Sequence, residues 1–419
     1  MTHLLYKIHT CLRTWYFDPL RACFARIIGA SSTISRSWYS LSWNKKSTPY
    51  YLIIFFTIVS TIILWSPFLL KVKNINYIRT EGISLQTVIQ HWDGPLYIIP
   101  AKTLYDKNNS ILKEAPMGLS DKYFAAHLPL YPLTIRLLAP FLGYPKAMLA
   151  STMLTSILLF CLFYFFVKKL GLTSRPLLLT IVFLFFTPRF FVVHSIGSPE
   201  PLFLLLLLLS LYFFMVKNYA LAGIMGGLAT ATKTPGILLF GAYGLYFLEQ
   251  YLKTKKVKGS WFFIFLIPAG LLAVFLLYWR QYGDFFAYFH SGDNIHLVFP
   301  PFSVFNFQKQ WISTAWLEEI MFIFFFYLLA LVELVKKPML RPFFYFALVF
   351  FAATIFVEHR DIARYSLPIL PIALIAFERF FTSKKWLLTL IILLPALYLY
   401  AWNFMLYNVA PITNWTPFL

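Results

Sequence analysis

The chain has 419 residues, of which 60% are hydrophobic and 20% aromatic against only 12% charged. Its mean hydropathy is +0.70, which excludes a soluble globule, whose apolar share is about 45–50%. The formal net charge of +20 does not indicate nucleic acid, because the basic residues form short runs between apolar spans and no single stripe or domain. The composition is that of a polytopic membrane protein. Cys11, Cys23 and Cys161 have no metal-ligand spacing and offer no plausible pair, so free thiols are expected.

In chain order, residues 1–48 form a basic leader in which Lys7, Arg13, Arg21, Arg26, Arg36, Lys45 and Lys46 face one acid, Asp18. The leader is too long for a signal-peptide n-region, and no small-residue cleavage pattern follows the first apolar span. Apolar and basic residues alternate along it, which predicts a cytoplasmic amphipathic segment lying on an anionic leaflet. With a window of about 20 residues per crossing, the hydropathy pattern predicts about eleven spans. They lie near 50–70, 147–167, 176–194, 199–216, 219–235, 236–252, 260–279, 316–335, 342–357, 363–381 and 386–406.

Basic runs test that count. If the leader is cytoplasmic, Lys168, Lys169 and Arg175, then Lys217, Lys253 to Lys258, Lys336 to Arg341, and Lys384 with Lys385 all fall on the cytoplasmic side, as the positive-inside bias requires. The tail at 407–419 then lies outside. The other face receives the long loop 71–146, the turn with Glu200, the segment 280–315 and the segment 358–365. Acids, histidines and aromatics gather there. Within the long loop, residues 124–143 are apolar but carry His127, Pro129, Pro132 and Arg136. That stretch is expected to lie along the interface or re-enter, its prolines breaking the helix near its start.

Residues 91–97 read HWDGPLY and place Asp93 just beyond the first span. As a purely structural element, Asp93 would cap a helix starting at Pro95, with Trp92 and Tyr97 in an interfacial aromatic belt. Lys233 lies between apolar runs, where a charge is costly and tends to mark function; its other reading is a side chain snorkelling to the interface. Glu200 opens an apolar span and would either satisfy helix-start amides or position a cation or a sugar. His359 and Asp361 do not have metal-ligand spacing. His290, Asp293 and His296 stand close enough in one loop to be considered as a cation site.

These features together resemble a known family. A first span, an outer-loop WDG with Tyr97 after it, and HLPLYP at 127–132 leading to Arg136 resemble the PIG-V type of mannosyltransferase within the GT-C membrane glycosyltransferases. The likeness extends through SPEPLF at 198–203, GGLATATKTPGILL at 226–239, YGDFFAYFHSGDN at 282–294 and ARYSLPILP at 363–371, and so covers about 49–371. The chain departs from the family pattern in having Pro199-Glu200-Pro201 and Lys233, where Ser-Glu-Ser and arginine are usual.

The resemblance implies an all-α polytopic membrane fold, GT-C-like, with about eleven transmembrane helices, a catalytic domain over 49–406, and amphipathic or re-entrant helices in the first outer loop. It implies a hexosyltransferase that moves a sugar, mannose by family, from a polyprenyl-phosphate carrier to an acceptor hydroxyl on the extracytoplasmic face, with inversion. The acceptor is a glycan, lipid or protein, and membrane lipids are the other partners. Since a sugar hydroxyl is a poor nucleophile, a carboxylate within reach acts as general base, and Asp93 is the candidate. Fixed cations stabilise the departing phosphate, with Arg364, Lys233 and Arg360 as candidates. Trp92, Tyr97, His127, Tyr131, Glu200, His359, Asp361 and Tyr365 form the candidate substrate-binding set. No cofactor is expected, and no divalent cation is indicated. The membrane is a bacterial-type cell membrane or, in a eukaryote, the endoplasmic reticulum. The rival reading is a multi-pass transporter or lipid flippase, disfavoured because polar residues concentrate on one face and no internal repeat is visible.

Overall fold

The computed structural model describes residues 47–75, 78–80, 82–292, 297–312 and 317–419. The leader 1–46, with Cys11 and Cys23, and also Asp293 and His296, lie outside the described residues. The chain divides into two units, 1–52 and 53–419; only the start of a helix is described in the first, and the second holds all the later elements.

The second unit is an all-helical membrane fold, with one short hairpin, β1 (Asn74–Ile75) and β2 (Ile78–Arg79), after the first long helix. That helix is α1 (Thr48–Leu69). The first loop contributes α2 (Leu85–Ile89), α3 (Ile98–Thr103), α4 (Ser110–Lys113) and α5 (Leu130–Leu142). The central layer is α6 (Tyr144–Lys169), α7 (Pro176–Phe185), α8 (Pro188–Val193), α9 (Glu200–Met215), α10 (Tyr219–Thr232), α11 (Leu238–Thr254) and α12 (Leu266–Tyr282). The remainder is α13 (Glu318–Val335), α14 (Arg341–Thr354), α15 (Ile362–Tyr365), α16 (Leu370–Ala376), α17 (Glu378–Phe381) and α18 (Lys384–Tyr407).

Among the described residues, four helical segments are long and apolar enough to cross a membrane: Thr48–Leu69, Tyr144–Lys169, Gly259–Tyr282 and Lys384–Tyr407. Shorter apolar helices fill most of the remaining hydropathy windows. Two windows that read as single spans are broken. Pro188 stops α7 and starts α8 after an extended Thr187, since the residue before a proline avoids the helical region. Pro368 and Pro371 divide 362–376 more gently into α15, a 3-10 turn and α16, with Ser366, Ile369 and Leu370 keeping helical backbone angles.

Residues 129–132 correct an expectation. The stretch is interrupted near its start, a 3-10 turn ending at Ala126, but Pro129 and Pro132 also begin the helix that follows, α5, because a proline in the first turn gives up no intrahelical bond. Leu137 and Phe141 on α5 are 73% and 84% exposed, an apolar outer face suited to lipid at the interface, while Arg136 donates to the carbonyls of Ala101 and Lys102 at the end of α3. The core of the bundle is α9 against α6, α10 and, through α10, α12. A Cβ at Gly270 would lie 2.3 Å from the Gly227 carbonyl oxygen, so α10 and α12 meet backbone to backbone as small residues allow in membrane helices.

Candidate functional site

Four distant segments deliver charge to one place. Asp93 sits on the turn after α2, and that turn packs against the segment before α9: a Cβ on Gly94 would lie 3.0 Å from the Gly197 carbonyl oxygen. Glu200 is in the first turn of α9, started by Pro199 and Pro201. Lys233 is the extended residue that ends α10, because Pro235 two residues on cannot continue the helix. Arg364 belongs to the short α15, cut off by the prolines after it.

Their side chains form a continuous chain. Arg364 Nη1 donates to Asp93 Oδ2 at 2.5 Å and Nε donates to Glu200 Oε1 at 2.6 Å. Lys233 Nζ donates to the same Glu200 oxygen at 2.7 Å, and the Ser198 hydroxyl donates to the other oxygen. Glu200 is thus bonded to side chains and not, as one expectation had it, to helix-start amides. Its side chain is 3% exposed, against 29% for Asp93. Lys233 does not snorkel: it is 18% exposed and lies over the Tyr365 ring. Asp93 makes no side-chain cap on the turn at Pro95. Burial opposes its ionisation, but the charge and hydrogen bond of Arg364 outweigh burial and hold the carboxyl below its usual range.

The chain lines a cavity of about 1190 Å³, above the roughly 300–1,000 Å³ of single-ligand pockets. Its polar lining adds His91, Trp92, His127, His359, Arg360 and Asp361 to the four charges. The lining also includes apolar side chains, among them Phe203, Leu204, Ile237, Leu238, Phe350 and Leu367. Arg360 is exposed and has no ion-pair partner among the described residues. Trp92 is 53% exposed. Tyr97 is buried against the rings of His127 and Tyr131, and Tyr365 lines the cavity with its ring edge-on to His359. Tyr131 is fully buried behind the lining; its hydroxyl bonds Thr152 and accepts from the Ser198 amide, so it braces the Glu200 turn.

Burial opposes a proton on the cavity histidines. Burial drives His127 down to about 4 and His91 to about 3, with Asp93 pulling each the other way. His359 is also lowered by burial, and its Nδ1 accepts from the Asp361 amide at 3.0 Å. Burial raises Asp361 while Arg189, 2.9 Å away, pulls it down.

Several contributors escaped the sequence reading. Arg189 lies over the Phe404 ring with its charge on Asp361; a charge inside the 176–194 apolar window was the available signal. The segment after α18 is a strap and not a loose tail: Trp92 N donates to Asn408 O, Ala410 N to Gln90 O, and Gln90 Nε2 to Ala410 O. This pins the loop that carries Asp93. His290 bonds Asp284, which also takes Lys122; these two bonds hold Asp284 at about 2. Among the described residues no group of three or more histidines, cysteines or acids is placed to hold a metal ion.

No protein-family model matches the chain, and no curated protein matches it.

Proposed function

We propose that the protein is a membrane glycosyltransferase of GT-C type that moves a hexose, mannose by resemblance, from a polyprenyl-phosphate carrier to an acceptor hydroxyl. In this reading about eleven helical segments cross the membrane, the leader is cytoplasmic, and the cavity faces the extracytoplasmic side. The observation that carries the reading is the convergence of Asp93, Glu200, Lys233 and Arg364 on a cavity whose lining joins these charges to apolar side chains. A carrier with a charged head and a hydrocarbon tail has those two needs.

The chemistry follows from the residues. Asp93, half in the cavity, takes the proton of the acceptor hydroxyl. The acceptor oxygen forms its bond to the anomeric carbon as the carbon–oxygen bond to phosphate breaks, and the electron pair leaves on the phosphate. Attack from the face opposite the leaving group inverts the centre. Asp93 thereby loses one negative charge while the phosphate, a monoanionic diester before transfer, becomes a dianionic monoester. Arg364 lies beside Asp93 and supplies the planar fork that suits phosphate oxygens, with Arg360 at the exposed rim. Glu200 fixes Arg364 and Lys233 in a site too buried for them to stand unpaired.

The test is sugar transfer in nanodiscs from radiolabelled polyprenyl-phosphate mannose to a membrane-lipid extract, by wild type and Asp93→Asn. Label moving only with wild type supports the reading. Equal transfer removes Asp93 from the chemistry. No transfer by either folded protein, with other carrier sugars also tried, sinks the reading and favours the transporter.

A further inference from the structure

The ion pair between Asp93 and Arg364 joins the two groups that the proposed reaction needs apart. A carboxylate held by a guanidinium is a poor base, and a guanidinium whose edge is filled by a carboxylate is a poor phosphate clamp. The two bonds of Arg364 are unequal in setting. Nε is fixed on Glu200, which is 3% exposed and held in turn by Lys233 and Ser198. Nη1 meets Asp93, which is 29% exposed and sits on a turn at the cavity wall. One edge is therefore anchored and the other exchangeable. The charges agree: two carboxylates and two cations sum to zero along the chain, so a phosphate reaches the Nη1 edge of Arg364 only when Asp93 gives up its hold.

We propose that Asp93 and the carrier phosphate compete for the Nη1 edge of Arg364, so that seating the donor frees the base. The inference rests on the glycosyltransferase reading. Donor binding then precedes activation of the acceptor, and Asp93 regains basicity only with a sugar phosphate in place to be attacked. When Asp93 later takes the acceptor's proton it cannot reclaim Arg364, which stays with the departing dianion.

The test is equilibrium binding of a short-chain prenyl methyl phosphodiester, whose single charge is constant across neutral pH, to the full-length protein in nanodiscs. Competition predicts that Asp93→Asn binds about tenfold tighter than wild type, and that Asp93→Glu, which keeps the competitor, does not. Asp93→Ser removes the charge through a different side chain and gives the same tightening, which covers a fold lost to the amide. Glu319→Gln removes another acid from the cavity wall and changes affinity by no more than about twofold, since a Debye length of about 8 Å screens exposed charges. Wild type that binds the probe no more weakly than Asp93→Asn and Asp93→Ser overturns the competition and leaves the donor site standing. Equal tightening by Glu319→Gln also overturns it, by reducing the effect to a general field. Binding by none of the proteins overturns the donor reading and the competition together.

Discussion

Glu200 and Glu249 each hold two cations through a single oxygen. Glu200 Oε1 takes Lys233 at 2.7 Å and Arg364 at 2.6 Å; Glu249 Oε1 takes Lys253 at 2.6 Å and Arg341 at 3.3 Å. Glu200 opens α9, whereas Glu249 lies near the end of α11. Their settings differ. Lys233 is 18% exposed where Lys253 is 61% exposed, and Lys253 is only one helical turn from its acid. The Glu249 cluster ties the end of α11 to the start of α14 and does not line the cavity that Glu200 lines. The Glu200 cluster draws on separate segments and leaves a further acid, Asp93, facing open space. Charge clusters in a membrane protein therefore divide by whether a charge is left facing a cavity, and the number of ion pairs does not sort them.

The comparison can be broken most directly at Glu200. Glu200→Gln leaves two buried cations half-paired; it should cost about 3–5 kcal/mol of stability and abolish transfer, read by thermal unfolding and by product. Asp93→Asn separates chemistry from folding: transfer should fall by about 10²–10⁴-fold with a much smaller change in melting temperature. Acid gives the next effect. His91 and His127 are held neutral well below 6.5, so the unfolded chain binds protons more readily than the native one. Stability is full above about pH 6.5 and is lost as pH falls toward 4. Hydrogen exchange in 85–97 should therefore rise over that window while the end of α11 near Glu249 does not change. The smallest effect is expected from Glu249→Gln, below about 1 kcal/mol because the pair is partly solvated, with transfer unaltered. Equal losses from Glu200→Gln and Glu249→Gln would erase the distinction.

Much of this was legible in the chain. Asp93, Glu200, Lys233 and Arg364 each stand out as a charge beside an apolar run, and the helices follow the hydropathy windows. Which of them touch was not legible, since Asp93 and Arg364 are 271 positions apart and no local pattern carries that distance. Arg189 offered the same signal as Lys233, but reading 176–194 as one unbroken span concealed the turn at Thr187 that brings it to the cavity. Tyr131 reads as a candidate substrate-binding aromatic; only packing reveals that it is buried and that its hydroxyl is spent on Thr152 and the Ser198 amide. The prolines of 129–132 carry opposite meanings at the start and in the middle of a helix, and sequence alone did not fix where α5 began.

The strap has a consequence in time. Gln90 and Ala410, which clasp each other across the loop that carries Asp93, are 320 positions apart. At about 5–20 residues per second of synthesis, the loop emerges on the order of tens of seconds before its clasp exists. All the intervening helices must be inserted before the two can meet. The part of the cavity around Asp93 is therefore finished late, and a partly made chain carries Asp93 without the strap that holds its loop.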